Sequence, residues 1–448
     1  FQYDPTVEGQ SLERQLWRPY KDNIKGFWQM GTTYSNSISI ESSNDKTSFR
    51  TSLSVVNNTW MMPNTGFDRF NYALSFDHKV TKKLRVVSKF AYNYTKSDNL
   101  PSTGYNNQSI SYFMIFQNPN VDLSWYEPIW KKDKYQVDQI HPFSSFIDNP
   151  YLIAYEMLNG VDKKLITGNI TATYNFNNNF EMMLRSGIEI TDEERTTKRP
   201  YSSANYLQGY YREQYIKNSE YNTDLLFTYK NNFGKWGVSA SAGGNIRANE
   251  YVLNDYRAIG LRVPGIYQLT NAISLNTRIA QPNDKETNSV YGLASFNYDN
   301  LWFVDFTARN DWSSTLPKAN RSYFYPSVAT SLILSDVLKM KSKSWNYWKL
   351  RASWSQVGND TQPYKLQQFY NTSDFVGSAE NIANFQNPNL KPEMNQNIEA
   401  GMDFSFFKNR LTYNVTVYQN STKDQIVNVP SLIETGYSTR TINAGEVR

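Results

Sequence analysis

The side chains that could carry out chemistry in this 448-residue chain are few and widely spaced. His78 and His141 are the only histidines and cysteine is absent, so no metal site and no Ser-His-Asp triad is predicted. Asp305 and Asp311 would share one face of a strand and could resemble a pair of catalytic carboxylates. Pairing with nearby arginines is the commoner role of such carboxylates, because ion-pair networks that only stabilise a structure also contain clustered acidic residues. The sequence therefore predicts no enzyme, no cofactor and no metal.

A glycine pair occurs inside an alternating segment, at Ala242-Gly243-Gly244-Asn245. It lacks the spacing of a phosphate-binding loop. Within a strand, glycine removes the side chain and lets another group approach the backbone. We therefore predict a close contact at this point of the sheet and no nucleotide site.

The element that would position these residues is clearest in residues 394–422, MNQNIEAGMDFSFFKNRLTYNVTVYQNST. Apolar side chains alternate with polar ones on both sides of a short link at residues 407–409. Because strand side chains point to opposite faces in turn, this pattern predicts a β-hairpin with one apolar and one polar wall. Long limbs with aromatic residues near the turn are typical of transmembrane β-hairpins.

The rest of the chain repeats this unit, which predicts an all-β fold with one large antiparallel sheet. The connections between the segments alternate between short and long, as expected for an up-and-down transmembrane β-barrel with turns on one rim and extracellular loops on the other. The long loops are predicted at 95–163, 192–219, 247–288 and 357–394. The fourteen predicted strands are 27–41, 46–57, 67–78, 83–95, 163–176, 179–192, 219–230, 235–247, 288–299, 301–312, 324–335, 346–357, 394–407 and 409–422.

The phase of the alternation assigns residues to the two walls. The residues predicted to face lipid are Leu74, Phe90, Ile170, Val304, Leu350 and Val415. The residues predicted to face a polar lumen are Arg69, Lys89, Arg309, Arg351 and Asp403. Lumen charges contact water, whereas an Arg or Lys in the middle of the hydrocarbon costs about 2–4 kcal/mol.

Composition agrees with a barrel. The mean hydropathy is −0.64 and no apolar run is long enough for a membrane helix, but a barrel strand places half of its side chains in a polar lumen. Aromatic residues make up 15% of the chain, as expected for strands and interfacial girdles. The net charge of +5 is not gathered in a basic run, so no nucleic-acid site is predicted.

Several stretches resemble the barrel of SusC/RagA-type TonB-dependent outer-membrane transporters. They are VYGLASFNYDNLWFVDFTARNDWSS (290–314), YFYPSVATSLILSD (323–336), WKLRASWSQVGND (348–360), NPNLKPEMNQNIEAGMDF (387–404) and NAGEV (443–447). Ser42-Ser43 and Pro392 depart from the family pattern, which often has paired glycines and a tryptophan there. The resemblance implies a 22-stranded barrel with an N-terminal plug. On that basis residues 1–448 are expected to be a portion of the barrel domain, without the plug and the final strands.

The resemblance also implies the function: TonB-dependent import of a large nutrient, an oligosaccharide or a peptide, across the outer membrane of a Bacteroidota-type bacterium. The implied partners are a SusD-like surface lipoprotein, outer-membrane lipid, and the TonB complex through an N-terminal part of the protein. Two alternatives remain open from the sequence, namely a passive porin and a soluble all-β glycan-binding or adhesive protein.

Aromatic residues in the long loops and arginines of the polar wall are the candidate contact residues. Exposed rings can stack on sugars or dock on a partner, although loops of this length also order themselves with their own aromatic residues. The residues predicted to contact substrate or partner are Trp125, Tyr126, Trp130, Tyr370, Arg309 and Arg351.

Overall fold

The computed structural model describes residues 18–106, 109–142, 147–279, 283–340, 345–372 and 378–447. Seventeen of the nineteen strands in these residues belong to one sheet. The strands are β1 (Thr32–Ser43), β2 (Thr47–Thr59), β3 (Gly66–Lys79), β4 (Leu84–Ser97), β5 (Asn159–Asn175), β6 (Phe180–Ser203), β7 (Tyr206–Phe233), β8 (Trp236–Leu261), β9 (Ala272–Ile279), β10 (Lys285–Tyr298), β11 (Trp302–Ser313), β12 (Ser322–Ile333), β13 (Trp345–Asn359), β14 (Tyr370–Thr372), β15 (Ala379–Asn381), β16 (Asn384–Phe385), β17 (Glu393–Phe406), β18 (Leu411–Pro430) and β19 (Thr439–Val447).

Short helices lie in the connections. The α-helices are α1 (Asn23–Phe27), α2 (Ile110–Phe116), α3 (Pro150–Tyr155) and α4 (Leu334–Val337). Single 3-10 turns occur at Leu123–Tyr126, Leu269–Asn271 and Ile433–Thr435. Across the described ranges, no helix is long and apolar enough to cross a membrane.

The strands follow an up-and-down order. Each strand from β1 to β8 pairs antiparallel with the next one along the chain. The first half of β8 pairs with β10 and its far end pairs with β9. The order then continues through β11, β12, β13, β17, β18 and β19, while β14 and β15 form a separate hairpin. This confirms the predicted large antiparallel barrel-type sheet, and all fourteen predicted strands are present.

The pairing register keeps one face apolar across the sheet. Leu74 lies opposite Phe90, and Phe90 lies opposite Gly168, two residues before Ile170. Directly opposed residues share a face, so following the pairs from strand to strand places all six residues predicted to face lipid on one face. The five charged residues predicted for the lumen lie on the other face, which we call the inner wall.

The apolar face is not covered by any other part of the described chain. Ile170 is 52% exposed, Val290 58% and Val417 70%, and other large apolar side chains of this face are similarly open. A continuous apolar surface of this size is unfavourable in water. It matches the outward band of a barrel in contact with lipid.

Two of the predicted loops are strands, so the predictions for 192–219 and 247–288 were wrong. β6, β7 and β8 contain 24, 28 and 26 residues, and only residues 204–205 link β6 to β7. A strand needs about 9–11 residues to cross the bilayer, so the remaining residues of these strands extend beyond it. Neither face of such a projection has to contact lipid, so the apolar alternation disappears although the backbone pairing continues. β9 lies within the predicted 247–288 loop for the same reason, and β18 likewise runs beyond the predicted end at residue 422 to Pro430.

The connections separate by length onto two rims. Within the described residues, the short-turn rim consists of the segments 44–46, 80–83, 176–179, 234–235, 299–301, 334–340 and 407–410. The opposite rim, which we call the long-loop rim, carries the two longest connections, residues 98–158 and 360–392. The predicted loops 95–163 and 357–394 correspond to these two connections.

Replacing Ile170 with Lys tests the assignment of the two faces. Ile170 lies six positions before the 176–179 turn, near the middle of the apolar face, so the substitution should lower the free energy of unfolding by about 2–4 kcal/mol. Urea unfolding in lipid vesicles measures this quantity. Asn169→Lys is the matched control, because Asn169 lies on the inner wall, and it should change stability by about 1 kcal/mol or less. Equal losses in the two variants would contradict the assignment.

Candidate functional site: the inner wall and the long-loop rim

The inner wall carries ion pairs that join strands far apart in sequence. Arg185 on β6 donates a hydrogen bond to Asp224 on β7 at 2.8 Å. Asp224 also accepts hydrogen bonds from Asn245 Nδ2 at 2.9 Å and from the Tyr291 hydroxyl at 3.2 Å. The Asp224 carboxylate on β7 therefore accepts hydrogen bonds from three other strands, β6, β8 and β10. These bonds hold the four strands together.

Arg309 occupies the next part of the wall. Its guanidinium donates to Asp311 Oδ1 and to Ser289 Oγ, both at 2.7 Å, and lies 5.5 Å from the centre of the Tyr291 ring. Tyr325 donates its hydroxyl hydrogen to the other oxygen of Asp311 at 2.7 Å. The predicted inner-wall position of Arg309 is correct, but its charge is already paired.

Arg351 is held in a similar way. Its Nε lies 3.2 Å from Asp403 Oδ2 and its Nη2 donates to Thr416 Oγ1 at 3.0 Å. The guanidinium lies flat over Gly401, where a Cβ atom would lie only 2.9 Å from Arg351 Nη2. The absence of a side chain at Gly401 leaves room for the guanidinium in this position.

The glycine pair in β8 has the predicted structural role. A Cβ on Gly243 would lie 2.5 Å from the Leu225 carbonyl oxygen and 3.1 Å from the Tyr291 ring. The missing side chain lets Tyr291 lie against the wall, where its hydroxyl reaches Asp224. The close contact predicted from the sequence is thus between a tyrosine ring and the strand backbone.

The carboxylates singled out from the sequence do not form a catalytic pair. Asp311 is 6% exposed and paired with Arg309, whereas Asp305 is exposed. They are six residues apart on one strand, which corresponds to roughly 20 Å at 3.3 Å per residue. In the residues that the structure describes, no group of three or more His, Asp or Glu side chains could hold a metal ion.

A concavity of about 970 Å³ lies along β2 to β7. It contains three exposed charges for which the described residues offer no side-chain partner: Arg50, Lys89 and Glu189. The two cations lie on β2 and β4 and the anion lies on β6, with Asn169 between them on β5. Sequence alternation placed these residues on the polar wall, but only the pairing shows which charges remain free to bind a ligand.

The connection 98–158 folds into a small domain with its own hydrophobic core, which we call the loop domain. Tyr126 is completely buried in this core and Trp130 is 8% exposed. Trp125 is partly buried and makes an edge-on contact with Tyr20, with ring centres 5.9 Å apart. Tyr126 and Trp130 therefore stabilise the loop domain and are not available to a ligand or partner in this conformation.

Tyr370 differs from the other three aromatic residues. It begins β14, a strand of the small hairpin in the connection 360–392, and its side chain is 65% exposed. Of the four loop aromatics predicted from the sequence, Tyr370 is the most open to a partner.

A buried polar cluster attaches the loop domain to the tip of the β6–β7 hairpin. Asp148, 1% exposed, accepts hydrogen bonds from Gln139 Nε2 and from the backbone N–H of Ala204, both at 2.8 Å. The backbone N–H of Gln139 donates to the Ser202 hydroxyl at 3.2 Å. Burial raises the pKa of Asp148 to about 6, because the charged carboxylate loses its hydration.

Arg199 lies beside this cluster and is 4% exposed. It donates to the carbonyl oxygens of Leu158 and Lys198 and to Asn159 Oδ1, at 2.7–3.2 Å. Burial lowers the pKa of Arg199 to about 10 for the same reason that it raises that of Asp148: each charged form is desolvated. The sequence contained no signal for this cluster, since Asp148 lies in the connection 98–158 and Arg199 lies in β6.

The raised pKa of Asp148 predicts a pH-dependent attachment of the loop domain. The folded form binds the proton more tightly than the unfolded form, so the contribution of Asp148 to stability is present below its ordinary pKa of 3.8 and is lost as the pH rises through about 6. Hydrogen exchange of the Gln139, Asn149 and Ala204 amides, corrected for intrinsic rates, should show protection falling across this range.

Asp148→Asn should remove most of this pH dependence. The amide oxygen of the substituted side chain can still accept both hydrogen bonds. Above pH 6, the local free energy of unfolding should be about 3 kcal/mol higher in the variant than in the wild-type protein. Asp98→Asn is the control, because the Asp98 side chain is 92% exposed and lies in the same connection. An unchanged pH profile in Asp148→Asn would contradict the assignment.

Comparison with known proteins identifies relatives of this chain. Residues 128–448 match the family model described as TonB dependent receptor-like, beta-barrel. TonB-dependent receptor P39 of Formosa agariphila is 24% identical, with the match covering 97% of this chain and 41% of the relative. TonB-dependent receptor SusC of Bacteroides thetaiotaomicron is also 24% identical, with 99% of this chain and 46% of the relative covered.

Solved structures show the same fold. The RagAB peptide importer in its "open-open" state has a TM-score of 0.80 and 19% sequence identity, and the match covers 99% of this chain and 50% of that one. The chain thus spans half or less of the length of these proteins.

Proposed function

Because the chain belongs to the TonB dependent receptor-like β-barrel family, we propose that it forms part of the barrel of a TonB-dependent transporter of the SusC/RagA type. In this proposal the barrel lies in the outer membrane of a Bacteroidota-type bacterium and imports a large nutrient. The long-loop rim faces the exterior and the short-turn rim faces the periplasm. Energy for import comes from the TonB complex.

The observation that carries this proposal is the separation of the two faces of the sheet. A continuous apolar face suits lipid, and an inner wall of paired charges suits a wet interior through which a polar cargo passes. A soluble adhesive protein would have to expose the same apolar face to water, which is unfavourable.

The concavity on β2 to β7 supports a peptide cargo over a neutral oligosaccharide. Arg50 and Lys89 lie on one side of it and Glu189 on the other, so it offers separate contacts for carboxylate and ammonium groups. The solved RagAB structures are named as those of a peptide importer or transporter. Oligosaccharide import remains the second candidate, because the sequence resemblance covers both classes of transporter.

Growth of a deletion strain on defined nutrients tests the proposal. A strain lacking the full-length protein should fail to grow when a peptide mixture is the sole source of amino acids, and should recover with the wild-type gene. Normal growth on peptides with loss of growth on one oligosaccharide would assign the cargo to the second class. Normal growth of the deletion strain on every large nutrient tested would contradict the transport function.

The partner proposed at the long-loop rim is a SusD-like surface lipoprotein. Tyr370 is the most exposed of the described aromatic residues in the connection 360–392, and a ring of this kind commonly contributes strongly to an interface. Tyr370→Ala should weaken co-purification of the lipoprotein about tenfold, which corresponds to a loss of about 1.4 kcal/mol. Tyr413→Ala is the matched control, since Tyr413 is 60% exposed but lies near the short-turn rim. If the lipoprotein co-purified equally with the wild-type protein and with both variants, this contact would be excluded.

A further inference from the structure

The short-turn rim and the longest connection of the opposite rim carry opposite charge. The described turns of the short-turn rim contain seven Lys or Arg residues and three Asp residues. The connection 98–158 on the long-loop rim contains seven acidic and three basic residues. The net charge of +5 on the whole chain therefore conceals a positive rim.

Most of the cations on the short-turn rim have no counter-ion. Lys235 pairs with Asp299 at 2.6 Å, and Lys83 donates to the Phe176 carbonyl oxygen at 3.1 Å. The other five are exposed, and the described residues offer their side chains no hydrogen-bond or ion-pair partner. These five free cations are Lys46, Lys82, Lys339, Lys408 and Arg410.

Exposed aromatic rings lie on the same rim as these charges. Phe407, which precedes Lys408, is 57% exposed, and Phe233 at the 234–235 turn is 56% exposed. Trp236 packs against Tyr298 with ring centres 4.9 Å apart, and both rings remain partly open. Trp and Tyr rings such as these two, which have an apolar body and a polar edge, prefer the level of lipid headgroups. The free cations in the adjoining turns therefore lie where headgroup phosphates are found.

We propose that the short-turn rim binds the phosphate groups of anionic phospholipids in the leaflet that surrounds it. The free cations are distributed over the segments 44–46, 80–83, 334–340 and 407–410, so they form a belt and not a pocket for one small anion. Flexible Lys side chains can extend from the apolar band to reach phosphate oxygens, and Arg410 can bind them with two donors. The belt would hold the barrel at a fixed depth in the membrane. The inference rests on the membrane position proposed above and is independent of the cargo and the lipoprotein.

Lipid titration of the full-length protein in detergent micelles tests this inference. In native mass spectrometry, the protein should retain bound phosphatidylglycerol at lipid concentrations about tenfold lower than those at which it retains phosphatidylcholine. A variant with all five free cations replaced by Gln should lose this preference, and 0.5 M NaCl before transfer to the spectrometry buffer should weaken it, because exposed charges are screened by salt. The substitutions are Lys46→Gln, Lys82→Gln, Lys339→Gln, Lys408→Gln and Arg410→Gln.

A second variant controls for the loss of five positive charges. It replaces exposed cations at or near the long-loop rim, namely Lys134, Lys217, Lys318, Arg321 and Lys391, with Gln and should keep the preference. Equal retention of the two lipids by the wild-type protein, or equal loss in both variants, would overturn the inference. Displacement of phosphatidylglycerol by free glycerol phosphate at a similar concentration would also overturn it, since the rim would then bind a soluble anion. A protein that is extracted from cells without detergent would refute the membrane position itself.

Discussion

The structure depends on an unbroken register of backbone pairing between neighbouring strands. In a strand, a shift by one residue moves every side chain to the opposite face. Along the apolar band, the pairs from β1 through β18 keep apolar residues on one face and charges on the other. The one register shift within the paired segments that the structure describes lies at Trp345/Tyr347, at the start of β13. A slip in any central strand would place arginines such as Arg185 against lipid and remove their partners together.

The ion pairs of the inner wall reinforce this register. The pairs Arg185–Asp224 and Arg351–Asp403 join residues on different strands, so their geometry is satisfied in only one alignment. Asp224 contacts side chains from three other strands, so a slip of β7 would break all of these contacts together. Paired charges on the wall thus stabilise the alignment, whereas Arg50, Lys89 and Glu189 are free to act on a ligand.

The sequence predicted the membrane-spanning part of the fold well because one face there must be apolar, which leaves a period of two residues. The prediction failed in the strand segments beyond the membrane, where neither face has to be apolar. The outer halves of β6, β7 and β8 do not contact lipid on either side, so stretches such as DEERTTKR at 192–199 carry no alternation, and they were predicted as loops. Pairing such as Arg185 with Asp224, 39 residues apart, could not be predicted without the register. Buried and exposed loop aromatics also have the same composition, so Tyr126 and Tyr370 could not be distinguished.

The continuous strands β6, β7 and β8 also have a mechanical consequence. Each passes from the apolar band to its outer tip without a break in the ladder, and β7 alone would measure roughly 90 Å if fully extended. A hydrogen-bonded ribbon without a hinge behaves as a cantilever fixed at its base. The cluster around Asp148 fastens the loop domain to the free end of that cantilever. A lateral force on the loop domain is therefore delivered to the barrel wall as a bending moment, and it reaches the same strands that line the concavity.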